Sequence, residues 1–305
     1  MAPELSLVIT TYQNGRLSDA SDLTKTIAQQ HEPILEVTFV VEGSDTLVRD
    51  LESICRRNLS CNWKVILNRG KPGISASRNI GAKCSTGKVI AFVDDDVLLP
   101  QGWSQNLVAS FSRPGVGAVT GGAAPLYVDI DATWLPLSLH WLIGSTAWYS
   151  LNFPSETRAV WGMNMAFQRA IFDRGIEFPE GIGGVQGRNI HGEEQVISYR
   201  IRKELGMKIV FDPGLAVLHK VYKFRLSALQ IWKNSFGIGR SRRMVQRLYG
   251  RADALQVEHD LMRRIIRESL AKTIPELVFH PFRAVQTIYV TELCLAGVAM
   301  GYLTS

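Results

Sequence analysis

The chain has 305 residues, 46% of them hydrophobic, enough for one large domain or two small ones around a true core, which excludes disorder for most of its length. Its four cysteines, Cys55, Cys61, Cys84 and Cys294, form no CxxC pair and argue against a disulfide framework or a cysteine-built zinc site, so a reducing compartment fits best. Thirty-four Lys and Arg against 28 Asp and Glu leave a net charge of +6 and point to an anionic partner: nucleic acid, phosphate or a membrane surface.

The opening MAPELSLVITTYQN lacks a basic leader and reads as a strand over Leu5–Thr10, which places the start of the chain on the cytoplasmic side. Helical stretches around Leu23–Gln30, Thr46–Arg57 and Ile74–Cys84 then alternate with apolar, β-branched runs at Val37–Val41, Trp63–Leu67 and Val89–Val93. Strand–helix alternation of this kind predicts a doubly wound, mainly parallel, Rossmann-like α/β sheet covered on both faces, with ligands at the carboxyl ends of the strands. Val116–Gly122 and Val160–Phe167 read as further strands, Gln195–Leu205 as a helix, and Ile209–Leu218 as a strand–turn–strand leading to His219.

Between these strands lies Ala132–Ser155, free of charge and carrying Trp134, Trp141 and Trp148: either a buried core segment or an interfacial or re-entrant one. From Lys220 to Arg251 nine basic residues occur with no acid, interleaved with Tyr222, Phe224, Trp232 and Phe236, a pattern suited to an anionic bilayer or a lipid phosphate. Nucleic acid is set aside, because no nucleic-acid-binding signature accompanies the charge. Leu255–Ile274 has apolar residues at helical spacing, and Ala284–Ser305 is an apolar stretch interrupted only by Glu292, read as a surface-lying or oligomer-contact helix.

The strongest chemical signal is Val89-Ile-Ala-Phe-Val-Asp-Asp-Asp-Val-Leu-Leu-Pro100, three carboxylates at the end of a buried strand. Adjacent negative charges repel one another, and hard oxygen donors in that position suit Mg²⁺ or Mn²⁺ with a substrate phosphate better than a solvated acidic turn suits the apolar flanks.

With the aspartate triplet, four more landmarks occur in order: Val8-Ile-Thr-Thr-Tyr12, Glu42, Gly73-Ile-Ser-Ala-Ser-Arg-Asn79, and Gly192-Glu-Glu194 followed by His219. The ordered set resembles the family 2 glycosyltransferases, whose fold is the nucleotide-sugar-binding GT-A type, over Leu5 to about His219. The resemblance implies a catalytic domain over 1–220 and a basic, helical, membrane-associating extension over 221–305. It implies that Asp94 faces ribose or base, with Asp95 beside it, and that Asp96 holds Mg²⁺ or Mn²⁺ bridging the diphosphate, with His219 completing the metal or diphosphate site. Thr10 and Tyr12 then edge the base pocket, Glu42 accepts hydrogen bonds from base or ribose, and the helix start with Ser75, Arg78 and Asn79 offers amides and a guanidinium to phosphate or base oxygens. Glu42 alone also reads as a surface carboxylate, and Ser75 as a helix cap beside an Arg78 paired to an aspartate. Trp161, Gly162 and Asn164 match the strand lining the sugar pocket, although Trp161 reads equally well as core.

The family's catalytic base is the second member of a Glu-Asp pair. Here Glu193-Glu194 stands in its place, with Glu194 the favoured base, and the pair alone reads also as solvated acids at a helix start. His191, two residues before the pair, is a further candidate for the acceptor side, with no motif of its own. The QxxRW signature of processive synthases is missing, which favours transfer of a single sugar.

The implied activity is inverting, metal-dependent transfer from a UDP- or GDP-linked sugar to a lipid-linked or other glycan acceptor. A narrower likeness is to enzymes that extend polyprenyl- or dolichyl-phosphate glycans, peripheral or monotopic at the inner face of the cell membrane. Rival readings are a sugar-nucleotide pyrophosphorylase, disfavoured by the single glycine of Thr10-Thr-Tyr-Gln-Asn-Gly15, and a non-catalytic nucleotide-sugar or glycan-binding protein, which the Glu-Glu pair keeps open.

Overall fold

A computed structural model of the protein describes residues 4–12, 14–32, 34–146, 152–182, 192–250 and 256–305. They fall into two compact units, one drawn from residues 4–123, 152–182 and 193–219, the other from residues 124–146, 192 and 220–305.

In chain order the elements begin with β1 (Leu5–Thr11), α1 (Leu17–Ala28), β2 (Glu36–Val41), α2 (Asp45–Asn58), β3 (Asn62–Leu67), α3 (Ile74–Cys84) and β4 (Val89–Asp94). Next come β5 (Val97–Leu98), α4 (Trp103–Ser110), β6 (Val116–Thr120) and β7 (Ala123–Tyr127). After these lie β8 (Ser155–Glu156), β9 (Asn164–Gln168), α5 (Arg169–Asp173), α6 (Glu193–Glu204), β10 (Lys208–Phe211) and β11 (Val217–Val221). Three long helices close the chain: α7 (Ala228–Tyr249), α8 (Gln256–Phe279) and α9 (Pro281–Leu303).

The first unit is built on an eight-stranded sheet in the order β3-β2-β1-β4-β9-β6-β10-β8. Strands β3, β2, β1 and β4 run parallel; the near-continuous apolar composition of β1, β2 and β4 reflects burial on both faces, while β3 at the sheet edge is half-buried. Leu7, Ile9, Phe39 and Val93 pack on one face with Leu23 of α1 and Leu47 and Leu51 of α2. Val8, Val40, Ile90, Phe92 and Phe167 pack on the other with Ala82 of α3 and Ile197 and Ile201 of α6. The doubly wound sheet implied by the alternating pattern is therefore present.

A buried carboxylate ties β1, β2 and β3 together at the end of the sheet remote from the aspartates. Glu36 accepts from Ser6 Oγ at 2.8 Å and from Thr86 N and Oγ1 at 2.6 and 2.8 Å, and it pairs with Lys64 Nζ at 2.8 Å. Burial opposes its charge, but Lys64 and the Thr86 and Ser6 donors hold the carboxyl down to about 2.

Two elements differ from expectation. The strand read over Val160–Phe167 begins only at Asn164: Trp161 bridges back to Asn164, and the residues between them form a turn despite their apolar character. That strand, β9, runs antiparallel to both β4 and β6, an inversion invisible to hydropathy. The helix expected from Gln195 starts at Glu193, so both glutamates lie in its first turn, where the exposed amides favour negative charge.

In the second unit, Leu135, Leu139, Leu142 and Ile143, the last three on a 3₁₀ helix over Leu137–Ile143, form a core with Val221, Ile231, Ile265, Val290 and Cys294. Ser138 N donates to Glu268 Oε2 at 2.9 Å, and Lys272 Nζ to the Thr133 carbonyl at 2.9 Å. The charge-free stretch is thus core over 132–146, with Trp134 and Trp141 packed against it. Trp148 lies outside the described residues. Helices α7 and α9 touch backbone to backbone: a β-carbon on Gly239 would fall 2.1 Å from the Val298 carbonyl oxygen, and one on Gly301 2.1 Å from that of Phe236. Among the described residues, α9 is the helix long and apolar enough to cross a membrane.

Candidate active site

The parallel register brings the carboxyl ends of β1 and β4 side by side, with Thr10 opposite Asp94. Asp94 closes β4, while Asp95 and Asp96 turn back into the protein and are buried. His219 sits within β11, paired opposite Val97 of β5, and this antiparallel pairing returns its imidazole to the aspartates, with Nε2 3.2 Å from Asp96 Oδ1. Asp94, Asp96 and His219 each offer one ligand atom, and the three atoms lie within 4.8 Å of one another. Two carboxylates and an imidazole form a hard oxygen and nitrogen donor set that fits Mg²⁺ or Mn²⁺.

Arg16, which the motif reading did not single out, belongs to this cluster. Its Nη1 lies 2.8 Å from Asp95 Oδ1 and 3.0 Å from Asp96 Oδ2, and Thr11 Oγ1 donates to the other oxygen of Asp95. Burial works against the guanidinium, yet Asp96 and Asp95 hold its affinity for the proton above the usual arginine range. Asp95 is pushed up to about 6 by burial and by Asp96, with Arg16 and Thr11 pulling the other way. Burial and the Asp96 charge also raise Asp94, against Arg78, His219 and Arg16. The signal available in sequence was a lone arginine in the polar loop following the first strand, at the ligand end of the sheet.

The two glutamates reach the same region through Arg78. This buried guanidinium on α3 donates from Nη1 to Glu193 Oε1 at 2.9 Å and from Nη2 to the Gly162 carbonyl at 3.2 Å, with the Phe178 ring centroid 5.5 Å from its central carbon. Nη1 is 3.8 Å from Glu194 Oε1, and Nη2 is 4.0 Å from Asp94 Oδ1. The sequence reading offered an aspartate partner for Arg78; the short bond goes instead to Glu193. Gly162 makes room for the second glutamate, since a β-carbon there would fall 2.2 Å from Glu194 Oε1 and 2.9 Å from Arg78 Nη2. Burial and then the Glu193 charge push Glu194 up to about 8, with Arg78 opposing.

Most of the other expected residues bond the protein's own backbone. Glu42 accepts from Gly73 N at 2.9 Å and from Ser77 Oγ at 2.7 Å, anchoring the start of α3 from the end of β2. Ser75 does not cap that helix, but donates to the Ile182 carbonyl at 2.6 Å. Both amide atoms of Asn79 bond the Phe178 backbone at 2.9 Å. Asn164 donates to the Leu215 and Gly122 carbonyls at 2.6 and 3.2 Å and accepts from Trp103 Nε1 at 3.3 Å, which makes it a buried joint between these segments. These bonds link segments far apart in sequence and leave no local pattern. Trp161 meets Phe211 edge to face at 5.3 Å, and Tyr12 is exposed beside Thr10 and Thr11. His191 lies outside the described residues.

Comparison with known proteins agrees with this geometry. The family model described as glycosyl transferase family 2 matches residues 6–176. Over 307 residues the chain is 27% identical to the glucosyl-dolichyl phosphate glucuronosyltransferase of Haloferax volcanii, covering 98% of this chain and 95% of that protein. A shorter stretch of 76 residues, 24% of the chain and 13% of the relative, is 33% identical to polypeptide N-acetylgalactosaminyltransferase 11 of Xenopus tropicalis. Among solved structures, the mannosyltransferase PcManGT from Pyrobaculum calidifontis, in complex with GDP-Man and Mn²⁺, superposes with a TM-score of 0.63 at 16% identity, over 99% of this chain and 88% of that one. GalNAc-T7 with UDP, GalNAc and Mn²⁺ gives 0.51 at 20% identity, over 72% and 43%. With more than half its length matched by the family model and the sheet of that fold in place, the chain belongs to glycosyl transferase family 2 and is a glycosyltransferase of the GT-A type.

Proposed function

We propose that the protein transfers one sugar, with inversion, from a nucleoside-diphosphate sugar to a hydroxyl of a lipid-linked acceptor. The observation that carries this reading is the linking of two acidic groups through one guanidinium: Asp94, a member of the Asp94, Asp96 and His219 donor set, and the Glu193–Glu194 pair all lie within 4.0 Å of Arg78. Asp96 and His219, with Asp94 beside them, would hold Mg²⁺ or Mn²⁺, which when bound offsets the charge of the departing diphosphate. Thr10 and Tyr12 border the nucleotide at the carboxyl end of β1, and Trp161 borders the sugar. Glu194 removes the acceptor proton, so that hydroxyl attack and departure of the nucleoside diphosphate occur in one displacement on opposite faces of the sugar carbon. Glu193 fixes Arg78, and Arg16 fixes Asp95 and Asp96.

A lipid-linked acceptor is favoured by the near full-length likeness to an enzyme named for glucosyl-dolichyl phosphate, and by the basic, aromatic stretch Lys220–Arg251. On this reading residues 1–220 catalyse transfer, 221–305 meet an anionic membrane, and the protein works at the cytoplasmic face. The test is to incubate purified protein with a panel of UDP- and GDP-sugars, Mn²⁺ and dolichyl- or polyprenyl-phosphate glycans, and to read the anomeric configuration of the product by NMR. A retained configuration, or full activity in both Asp96→Ala and Glu194→Gln, overturns the mechanism.

A further inference from the structure

Helices α8 and α9 carry apolar side chains on their outer side as well as on the side that faces the core of their unit. Along α8, Ile266, Leu270, Ile274 and Leu277 recur every three or four residues, hence on one side, and all are exposed. Ser269 and Thr273 on the same helix are buried. On α9, Phe282, Val285 and Tyr289 are exposed while Thr287 and Thr291 are buried, and Thr291 Oγ1 donates to Ser269 Oγ at 3.0 Å across the helix pair. Hydroxyls buried and bonded between the helices, beside the apolar Ile265, Val290 and Cys294, with further hydrocarbon left outside, suit helices whose outer surroundings are apolar. The apolar exposure culminates at the elbow joining the two helices, where Val278, Phe279 and Phe282 are 76%, 75% and 87% exposed.

Charge selects among the apolar surroundings. Lys220–Ser305 holds fourteen basic residues against six acidic ones, a net +8 that opposes pairing with a second copy and favours an anionic surface. Arg263 and Arg267 are exposed on α8 beside the apolar side, Arg283 is exposed at the elbow, and the acid of that turn, Glu276, interacts with Lys272. Apolar side chains bordered by cations match the boundary between anionic headgroups and acyl chains.

We propose that the α8–α9 elbow, residues 274–285, is the element of this protein that enters the interface of an anionic phospholipid bilayer. The proposal rests on the membrane reading above and makes the hydrophobic elbow, in addition to the basic stretch 220–251, a determinant of attachment. Full-length protein is mixed with phosphatidylcholine vesicles with and without 30 mol% phosphatidylglycerol (about the anionic fraction that gives a strong surface potential), and read by flotation and by hydrogen–deuterium exchange. The expected result is partition onto the anionic vesicles with slowed exchange over 274–285. The Phe279→Ser/Phe282→Ser variant is expected to lose at least about tenfold in partition (roughly the worth of two aromatic side chains at the interface) while keeping its thermal midpoint and donor-sugar binding. Unchanged partition of that variant, or slowed exchange confined to other segments, overturns the proposal. So does slowed exchange at the elbow that tracks protein concentration without vesicles and vanishes in the variant, since a second copy then covers it. The vesicles contain no acceptor, and transfer is assayed separately in detergent, so failure of the activity and failure of insertion give different results.

Discussion

Asp94 at the end of β4 and Glu194 in the first turn of α6 share one guanidinium, 4.0 Å from the first and 3.8 Å from the second. Arg78 is buried, so its charge is worth more to both neighbours than it would be in water, and its removal leaves Glu193 buried without its cation. Arg78→Met is expected to cost about 3–5 kcal/mol in urea unfolding, and the Arg78→Met/Glu193→Leu double variant less than the single change. An additive double variant would show that the two side chains do not act as a pair.

Gly162 sets the position of Glu194 by having no side chain. In Gly162→Ala the new methyl occupies the place of Glu194 Oε1, so the carboxylate must swing away. A displacement near 1 Å corresponds to a fall in kcat of roughly 10²-fold. The thermal midpoint serves as the control, and a variant with wild-type kcat would separate Glu194 from the reaction.

A base that binds its proton up to about pH 8 gives a rate that rises with pH through that value, because only the ionised form accepts the acceptor proton. Glu193→Gln removes the negative charge that raises Glu194 and releases Arg78 toward it; both effects lower the Glu194 pKa, so the acidic limb of the kcat profile moves to lower pH. Glu194→Gln is expected to reduce kcat by about 10²–10⁴-fold. A limb unmoved in Glu193→Gln would contradict the coupling.

Metal dependence is read most directly by binding. A matching nucleotide sugar with Mn²⁺ is expected to raise the thermal midpoint of the wild type, since a ligand that binds the folded chain stabilises it. Asp96→Asn and His219→Ala should each remove the Mn²⁺-dependent part of the shift. Chelation by EDTA should remove it in the wild type, and a shift insensitive to EDTA would exclude the ion from donor binding.

Acid stability depends on Glu36. Its carboxyl is held down to about 2 in the fold against 4.5 ordinarily, so its contribution is complete above about pH 4.5 and is lost as the pH falls toward 2. Glu36→Gln should cost about 1–3 kcal/mol at pH 7 and flatten the pH dependence of urea unfolding over that window. Parallel curves for the two proteins would assign acid unfolding to other groups.

The parallel half of the sheet and the acidic strand end were legible because doubly buried strands read as unbroken apolar runs and because three adjacent aspartates have few stable settings. The run Val160–Met163 misleads for the same reason: its hydrophobicity serves a turn, and β9 owes its antiparallel direction to where the chain returns, not to its composition. Asn79 and Asn164 sit in motif positions that suggest ligand contact, yet their amides close gaps between distant backbone segments. Arg16 was missed because its partners, Asp95 and Asp96, come close only when β1 and β4 pair.

Backbone contact between α7 and α9 at Gly239 and Gly301 bears on any attempt to solubilise the protein by truncation. Cutting the chain before Pro281 would not shed a detachable anchor: it would strip the surface against which α7 is shaped, together with Val290 and Cys294 of the core. The shortened product should misfold from Lys220 onward, so a usable soluble form must come from polar replacements on the outward side of these helices.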